Sequence, residues 1–135
     1  MRVVLDASVV VSGVCWRGEA WSCLVKCARR QAFAYGTEAT LAETRETATR
    51  LVREKNPRNN AANILNWYLE TVKMVEPAPL GKQRSRDAKD DPYLAAALAA
   101  RADFIVSYDK DLLELKKPFG IEIIRPAQFL KLVKG

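Results

Sequence analysis

The sequence predicts an α/β domain built on a mainly parallel, five-stranded sheet with helices on both faces. Three observations predict it. Short apolar runs recur at residues 2–5, 33–35, 72–75, 104–107 and 121–124, most of them rich in Val, Ile or Phe. Longer segments with apolar residues at helical spacing separate them, which is the order that produces βα units and a parallel sheet. The aspartates, finally, are placed rather than scattered: of seven, six fall in the 25 residues from Asp87 to Asp111, and the seventh is Asp6 at the end of the first apolar run.

Taken in order, RVVL at 2–5 reads as a buried strand ending at Asp6, and the small, apolar stretch from Ala7 to Val14 either opens a helix or makes a tight connection. From Gly18 to Arg30, Trp21, Leu24, Val25 and Ala28 recur at helical spacing, with Lys26, Arg29 and Arg30 on the outer side. Phe33 to Tyr35 is the second strand. Thr37 and Glu38 then open a helix over about Glu38 to Lys55, as a cap followed by an acid in the first turn. Leu41, Ala48, Leu51 and Val52 give that helix its core side; Glu43 falls off the stripe, and spacing alone makes it a solvated glutamate. Asn56 and Pro57 end the helix, since proline disfavours helical backbone in the residue before it.

Arg58 to Thr71 forms another amphipathic helix, with Ala61, Ile64, Leu65, Tyr68 and Leu69 inward, and Val72 to Val75 the third strand. A loop marked by Pro77, Pro79 and Gly81 runs through Lys82, Arg84 and Arg86 into the acidic block, a length often associated with function. Asp90 or Asp91 starts a helix with Pro92 in its first turn and Leu94, Ala97 and Leu98 inward. Phe104 to Ser107 is the fourth strand, Asp111 to Lys117 a short helical stretch, and Ile121 to Ile124 the fifth strand. Pro126 opens the last helix, which carries Phe129, Leu130 and Val133.

Composition narrows the function classes. One domain over residues 1–135 is expected, and no apolar run approaches the roughly 20 residues that span a bilayer. Asp6 interrupts the apolar N-terminal run, so no signal peptide is read there and the cytoplasm is the expected location. Cys15, Cys23 and Cys27 read as buried small hydrophobes. The absence of histidine excludes a Ser-His-Asp triad, a Cys-His pair and a histidine base, leaving carboxylates, hydroxyls, lysines or a metal to do any chemistry. A net charge of +6, with the acids gathered at a few positions, suits a surface that meets a polyanion around an acidic centre.

Helix capping, worth about 1 kcal/mol, explains Asp87, Asp90 or Asp91 singly. It does not explain Asp6 and Asp109, each directly after a strand-like run. In parallel sheets ligands bind beyond the carboxyl ends of the strands, where both would lie, and Asp90 begins the helix that leads to the second of them. Carboxylates that converge repel one another unless a hard cation joins them, and an all-oxygen set suits Mg²⁺ or Mn²⁺ rather than zinc.

LDASVVVSG, TLAETRE, DAKDDPYLAAALAARADFIVSYDKDLL and RPAQFL, in this order over nearly the whole chain, resemble a PIN-domain nuclease. The resemblance is in particular to bacterial and archaeal PIN proteins similar to the VapC toxins of toxin-antitoxin systems. It implies a PIN-like domain whose acidic site is Asp6, Glu43, Asp90 and Asp109, with Asp6, Asp90 and Asp109 as metal ligands and Glu43 assisting directly or through water. Asp87 and Asp111 match acidic positions that accompany the core set, Asp111 reading equally well as a helix cap; Asp91 is the weaker candidate. Ser107 matches a hydroxyl position before the last acid. Two residues depart from the pattern. Ser8 stands where asparagine is common, and Tyr108, where glycine is common, either narrows access or presents a stacking face for a base.

The implied activity is Mg²⁺- or Mn²⁺-dependent hydrolysis of RNA, leaving a 5′-phosphate and a 3′-hydroxyl. The implied partners are RNA, a cognate antitoxin and further copies of the chain in a homodimer or higher homo-oligomer, with no membrane. Arg45, Lys82, Arg84, Arg86, Lys89 and Lys110, next to the acidic motifs in sequence, are expected to steer the phosphate backbone. Two other readings stay open: a PIN module that binds nucleic acid without turnover, and a small-molecule phosphohydrolase, against which the positive charge argues.

Overall fold

The computed structural model describes residues 1–55 and 60–133, and its architecture follows from the alternation in the first strand. β1 (Arg2–Leu5) turns Val3 and Leu5 to one side of the sheet and Val4 to the other, all three buried. A strand buried on both faces belongs inside the sheet. β1 pairs with β2 (Phe33–Gly36) on one side and β4 (Phe104–Val106) on the other, while β3 (Lys73–Met74) lies beyond β2 and β5 (Glu122–Ile124) beyond β4. The order is β3-β2-β1-β4-β5, with every pairing parallel.

The Val3 and Leu5 face is covered by α1 (Ala7–Trp16), α2 (Gly18–Ala28), α3 (Glu38–Lys55), α4 (Ala61–Thr71) and α7 (Pro126–Leu132). Val4 and Ile105 face the opposite layer, formed by α5 (Asp91–Ala100) and α6 (Lys110–Leu113). The chain thus steps outward from β1 to β3, then returns to β4 on the other side of β1. Those two directions part between β1 and β4, the point at which an open parallel sheet leaves a crevice at its carboxyl edge.

α3 has a different inner face from the expected one. Its buried residues are Thr40, Thr44 and Ala48, one turn apart, and Leu41, Leu51 and Val52 are only partly covered. Thr40 can be buried because its hydroxyl is fully engaged: it accepts from the Thr37 amide at 2.9 Å and donates to the Thr37 carbonyl at 3.1 Å. Glu43, three residues after Thr40, therefore borders the buried stripe and is half-buried.

The expected third strand at 72–75 pairs only through Lys73 and Met74, both exposed at the sheet edge. The expected helix at 111–117 is the single turn of α6, followed by a 3₁₀ turn at Pro118–Gly120. The expected helix end at Asn56 and Pro57 and the expected start at Arg58 lie outside the described residues; α4 starts at Ala61. All three cysteines are buried and free. Among the described residues, no helix is long and apolar enough to cross a membrane.

α1, which leads away from Asp6, is held against α2 through Gly13. A Cβ added there would stand 2.8 Å from Leu24 Cδ1 and 3.1 Å from the Ala20 carbonyl carbon, so an alanine would push the two helices apart. Overpacking of this kind costs about 1–3 kcal/mol, and the better helix propensity of alanine returns up to about 1 kcal/mol. Gly13→Ala should therefore lower the Tm by roughly 3–8 °C in thermal unfolding; an unchanged or higher Tm would contradict this packing.

Candidate metal centre at the carboxyl edge of the sheet

Asp6 is where β1 becomes α1. Its N–H still completes the ladder to the Val106 carbonyl at 3.0 Å, and its own carbonyl accepts the first bonds of the helix, from Val9 at 3.0 Å and Val10 at 3.3 Å. Its side chain makes no cap bond, although it stands at the cap position, and only 5% of the residue is exposed. One carboxylate oxygen, Oδ2, instead accepts two hydroxyls: Ser107 at 2.7 Å and Ser8 at 2.8 Å. Burial pushes the Asp6 carboxyl up; the two serines and the Ala7 amide pull it down, and the Asp109 charge adds to the rise.

Ser107, fully buried after β4, ties the two strand ends together. While its hydroxyl donates to Asp6, it accepts the Asp109 amide at 2.8 Å. The Asp109 carboxylate, through Oδ1, accepts the Asp111 amide at 2.8 Å and so caps α6. Capping thus does account for part of Asp109, contrary to the sequence expectation, and Asp111 lies in the first turn of α6 rather than at its cap.

Asp90 arrives from the other layer. It ends a 3₁₀ turn (Ala88–Asp90) that Asp87 caps by accepting the Lys89 amide at 3.0 Å, and it precedes α5 without making a side-chain cap bond. It is 5% exposed, and its Oδ2 accepts the Ser85 hydroxyl at 3.1 Å. Burial first, then the Asp109 and Asp6 charges and a hydrogen bond shared with Asp109, push the Asp90 carboxyl from 3.8 up to about 7. Asp91 serves the loop instead of the centre. Its two oxygens accept the amides of Arg84 at 2.9 Å and Ser85 at 2.8 Å, which holds in place the segment that presents Ser85 to Asp90.

Asp90 is the hub of the acidic centre. On one side it faces Asp109 and Asp6; on the other, oxygens of Asp87, Asp90 and Asp111 all lie within 4.8 Å of one another. Among the described residues, Asp87, Asp90 and Asp111 are the acids whose oxygens come together this closely, while Asp109 turns Oδ1 to the cap of α6. Among the described residues, no ion pair joins a basic side chain to Asp6, Asp90 or Asp109. Buried and facing like charges, Asp90 keeps its proton well above the usual carboxylate range. Buried carboxylates that hold a proton for want of a positive charge fit a hard divalent ion.

Glu43 joins this centre through a residue that the sequence did not single out. Tyr93, buried on α5, donates its hydroxyl to Glu43 Oε1 at 2.9 Å, also bonds Thr44, and lies within the field of Asp6. No spacing signal marks Tyr93; only its position two residues after Asp91, inside the acidic block, hints at it.

The sequence profile of the PIN domain matches residues 2–111. The chain belongs to the PIN-domain family. The crystal structure of VapBC2 from Rickettsia felis, bound to a DNA fragment from their promoter, is similar to it, with a TM-score of 0.64 over 93% of this chain and 98% of that chain. At 12% identity this is a likeness of fold. No curated protein sequence matches the chain.

Around the acids of this PIN domain, the basic residues named from sequence divide into groups. Lys82, Lys89 and Lys110 are exposed. Arg84 folds back on its own loop, donating from Nε at 3.2 Å and Nη2 at 2.9 Å to the Leu80 carbonyl and lying 5.1 Å from the centroid of the Phe119 ring. Arg86 reaches Glu114 at 3.3 Å and Asp111 at 3.9 Å. Arg45 lines a groove between α3 and α4 with Val52, Leu65 and Asn66. It is turned away from Glu43, since two residues are about 200° round a helix.

Because Asp90 holds its proton to about pH 7 when folded and only to about 3.8 when unfolded, the folded state binds the extra proton between those values. Stability of the metal-free PIN domain should therefore fall as pH rises from about 4 to about 7 and then level off. Asp90→Asn should flatten that slope and be the more stable protein above pH 7 in EDTA, while Mg²⁺ should stabilise only the wild type. Superimposable Tm-against-pH curves for the two proteins would contradict the coupling.

Proposed function

We infer that this PIN domain is a metal-dependent endoribonuclease and the toxin component of a toxin-antitoxin pair. The observation that carries the reading is the convergence of buried carboxylates, without a basic partner, at the switch point between β1 and β4. Asp6, Asp90 and Asp109 would hold Mg²⁺ or Mn²⁺, with Asp87 and Asp111 beside Asp90. An ion held there would supply a water of lowered pKa for attack on phosphorus and positive charge to offset that on the phosphoryl oxygens.

The remaining roles fall to the chain itself. Ser107 and Ser8 fix the Asp6 carboxylate in one rotamer and supply two hydroxyl dipoles to one of its oxygens, so the other is available to the centre. Tyr93 holds Glu43 with one oxygen engaged, leaving the second to orient a water beside the acids. Burial of Asp6 and Asp90 excludes bulk water and strengthens each electrostatic contact made there. The exposed Lys82, Lys89 and Lys110, near the acidic motifs in sequence, would offset the repulsion between the acids and a phosphodiester, and the net charge of +6 would draw a polyanion in from a distance.

RNA as the polymer and an antitoxin as the protein partner rest on family membership and on the likeness of fold to the VapBC2 complex. Self-association into a homodimer or higher homo-oligomer is part of the same reading.

Purified protein should cut a mixed pool of structured and unstructured RNAs with Mg²⁺ or Mn²⁺ and stop in EDTA. Asp6→Asn and Asp90→Asn should abolish cutting with the fold retained by circular dichroism. Tyr93→Phe, which removes one hydrogen bond from Glu43, should cut about 10-fold more slowly. Folded wild-type protein that binds RNA and metal yet cuts nothing would replace the nuclease with a binding module; turnover of small phosphoesters in place of RNA would make it a phosphohydrolase.

A further inference from the structure

Several large apolar side chains of this molecule are exposed, and Tyr108 is distinctive among them because its two chain neighbours, Ser107 and Asp109, both belong to the acidic centre. It lies between Ser107, which bonds Asp6, and Asp109, and it is 37% exposed. Its backbone is anchored to α1. Its backbone amide donates to the Ser8 hydroxyl at 3.2 Å, the same hydroxyl that donates to Asp6 Oδ2 at 2.8 Å. Its hydroxyl lies toward Ser12, one turn further along the same helix. The residue thus starts from Ser8, which positions the metal-ligand candidate Asp6, and its hydroxyl faces the next turn of α1.

Two other exposed aromatics lie under a cation. Phe33 lies under the Lys73 ammonium at 4.5 Å from its centroid, and Phe119 lies under Arg84. No cation-π partner covers the ring of Tyr108 among the described residues. The charged groups that face its hydroxyl are Glu19 from α2 and Arg125 at the start of α7, and Arg125 is exposed and available to a neighbouring phosphate.

A tyrosine ring is large and flat with only two side-chain torsions to fix when something stacks on it, and the backbone that carries this one is tied between Ser107 and Asp109, next to the acids at which a phosphodiester would be held. Every nucleobase offers a flat face for such contact, whatever its sequence. We propose that Tyr108 is the stacking platform for an RNA base held beside the acidic centre, with Arg125 next to it for the adjoining phosphate. The proposal rests on the ribonuclease reading and adds to it the residue that sets where the chain of bases turns into the site.

The test uses Asp6→Asn protein, so that RNA is held uncut, and single-stranded RNAs carrying 2-aminopurine at one position each. Stacking should quench 2-aminopurine emission at one position of the bound RNA. Adding Tyr108→Ala should remove that quench and weaken binding roughly 10- to 100-fold, while Tyr108→Phe should keep the quench. In otherwise wild-type protein, Tyr108→Ala should raise KM with kcat little changed. RNA that does not bind, a quench at no position, or equal quench and affinity with and without Tyr108→Ala would overturn the platform. If the quench behaves as stated but wild-type protein cuts no RNA, the platform stands and the ribonuclease reading falls; if RNA is cut but Tyr108→Ala leaves KM and quench unchanged, the platform alone falls.

Discussion

The hydrogen bonds of one buried hydroxyl hold the candidate site together. Carboxylates at the ends of two neighbouring strands repel each other and would splay if the backbone allowed it. Ser107 prevents this by donating to Asp6 and accepting the Asp109 amide, and the ladder bond from Asp6 to Val106 locks the same strand ends from below. Each of these contacts depends on β1 and β4 being neighbours, which in turn depends on the chain reversing its direction of travel across the sheet. Topology thus sets the distance between like charges, and hydrogen bonds offset part of the resulting cost.

The remaining cost is visible at Asp90. Its carboxyl comes from the opposite layer and is buried against two others, and its affinity for a proton rises accordingly. A proton and a divalent ion are alternative ways to relieve the same repulsion, and an ion held by all three acids would relieve them at once. The loop before α5 is organised to hold Asp90 there: Asp91 gathers the loop amides, Ser85 bonds Asp90, and the Arg84 guanidinium closes the loop on the Leu80 carbonyl. Lysines on the outside leave the long-range field positive while the centre stays acidic.

The five strands, their parallel direction and the positions of Asp6 and Asp109 at strand ends were legible in the sequence, because β1, β4 and β5 rest on short runs of Val, Ile, Leu or Phe and polar residues follow β1 and β4. Glu43 was not legible from spacing. The inner face of α3 is made by threonines whose hydroxyls bond within the helix start, and hydropathy counts such residues as surface. Nearness in sequence likewise misled for Arg45, which a helix carries to the flank opposite Glu43. The closeness of Asp87, Asp90 and Asp111 comes from a non-periodic loop meeting the turn after β4, and no local pattern encodes such a meeting. The resemblance to PIN nucleases supplied what periodicity could not, by naming positions without needing their geometry.

The measurement that tests the central claim most directly is the crystal structure of the protein soaked in Mn²⁺, read by anomalous scattering. The account predicts a peak bonded to Asp90 together with Asp6 or Asp109, and loss of that peak in Asp90→Asn. A soaked wild-type crystal with ordered acids and no manganese at Asp90, or with the ion held elsewhere, would contradict it.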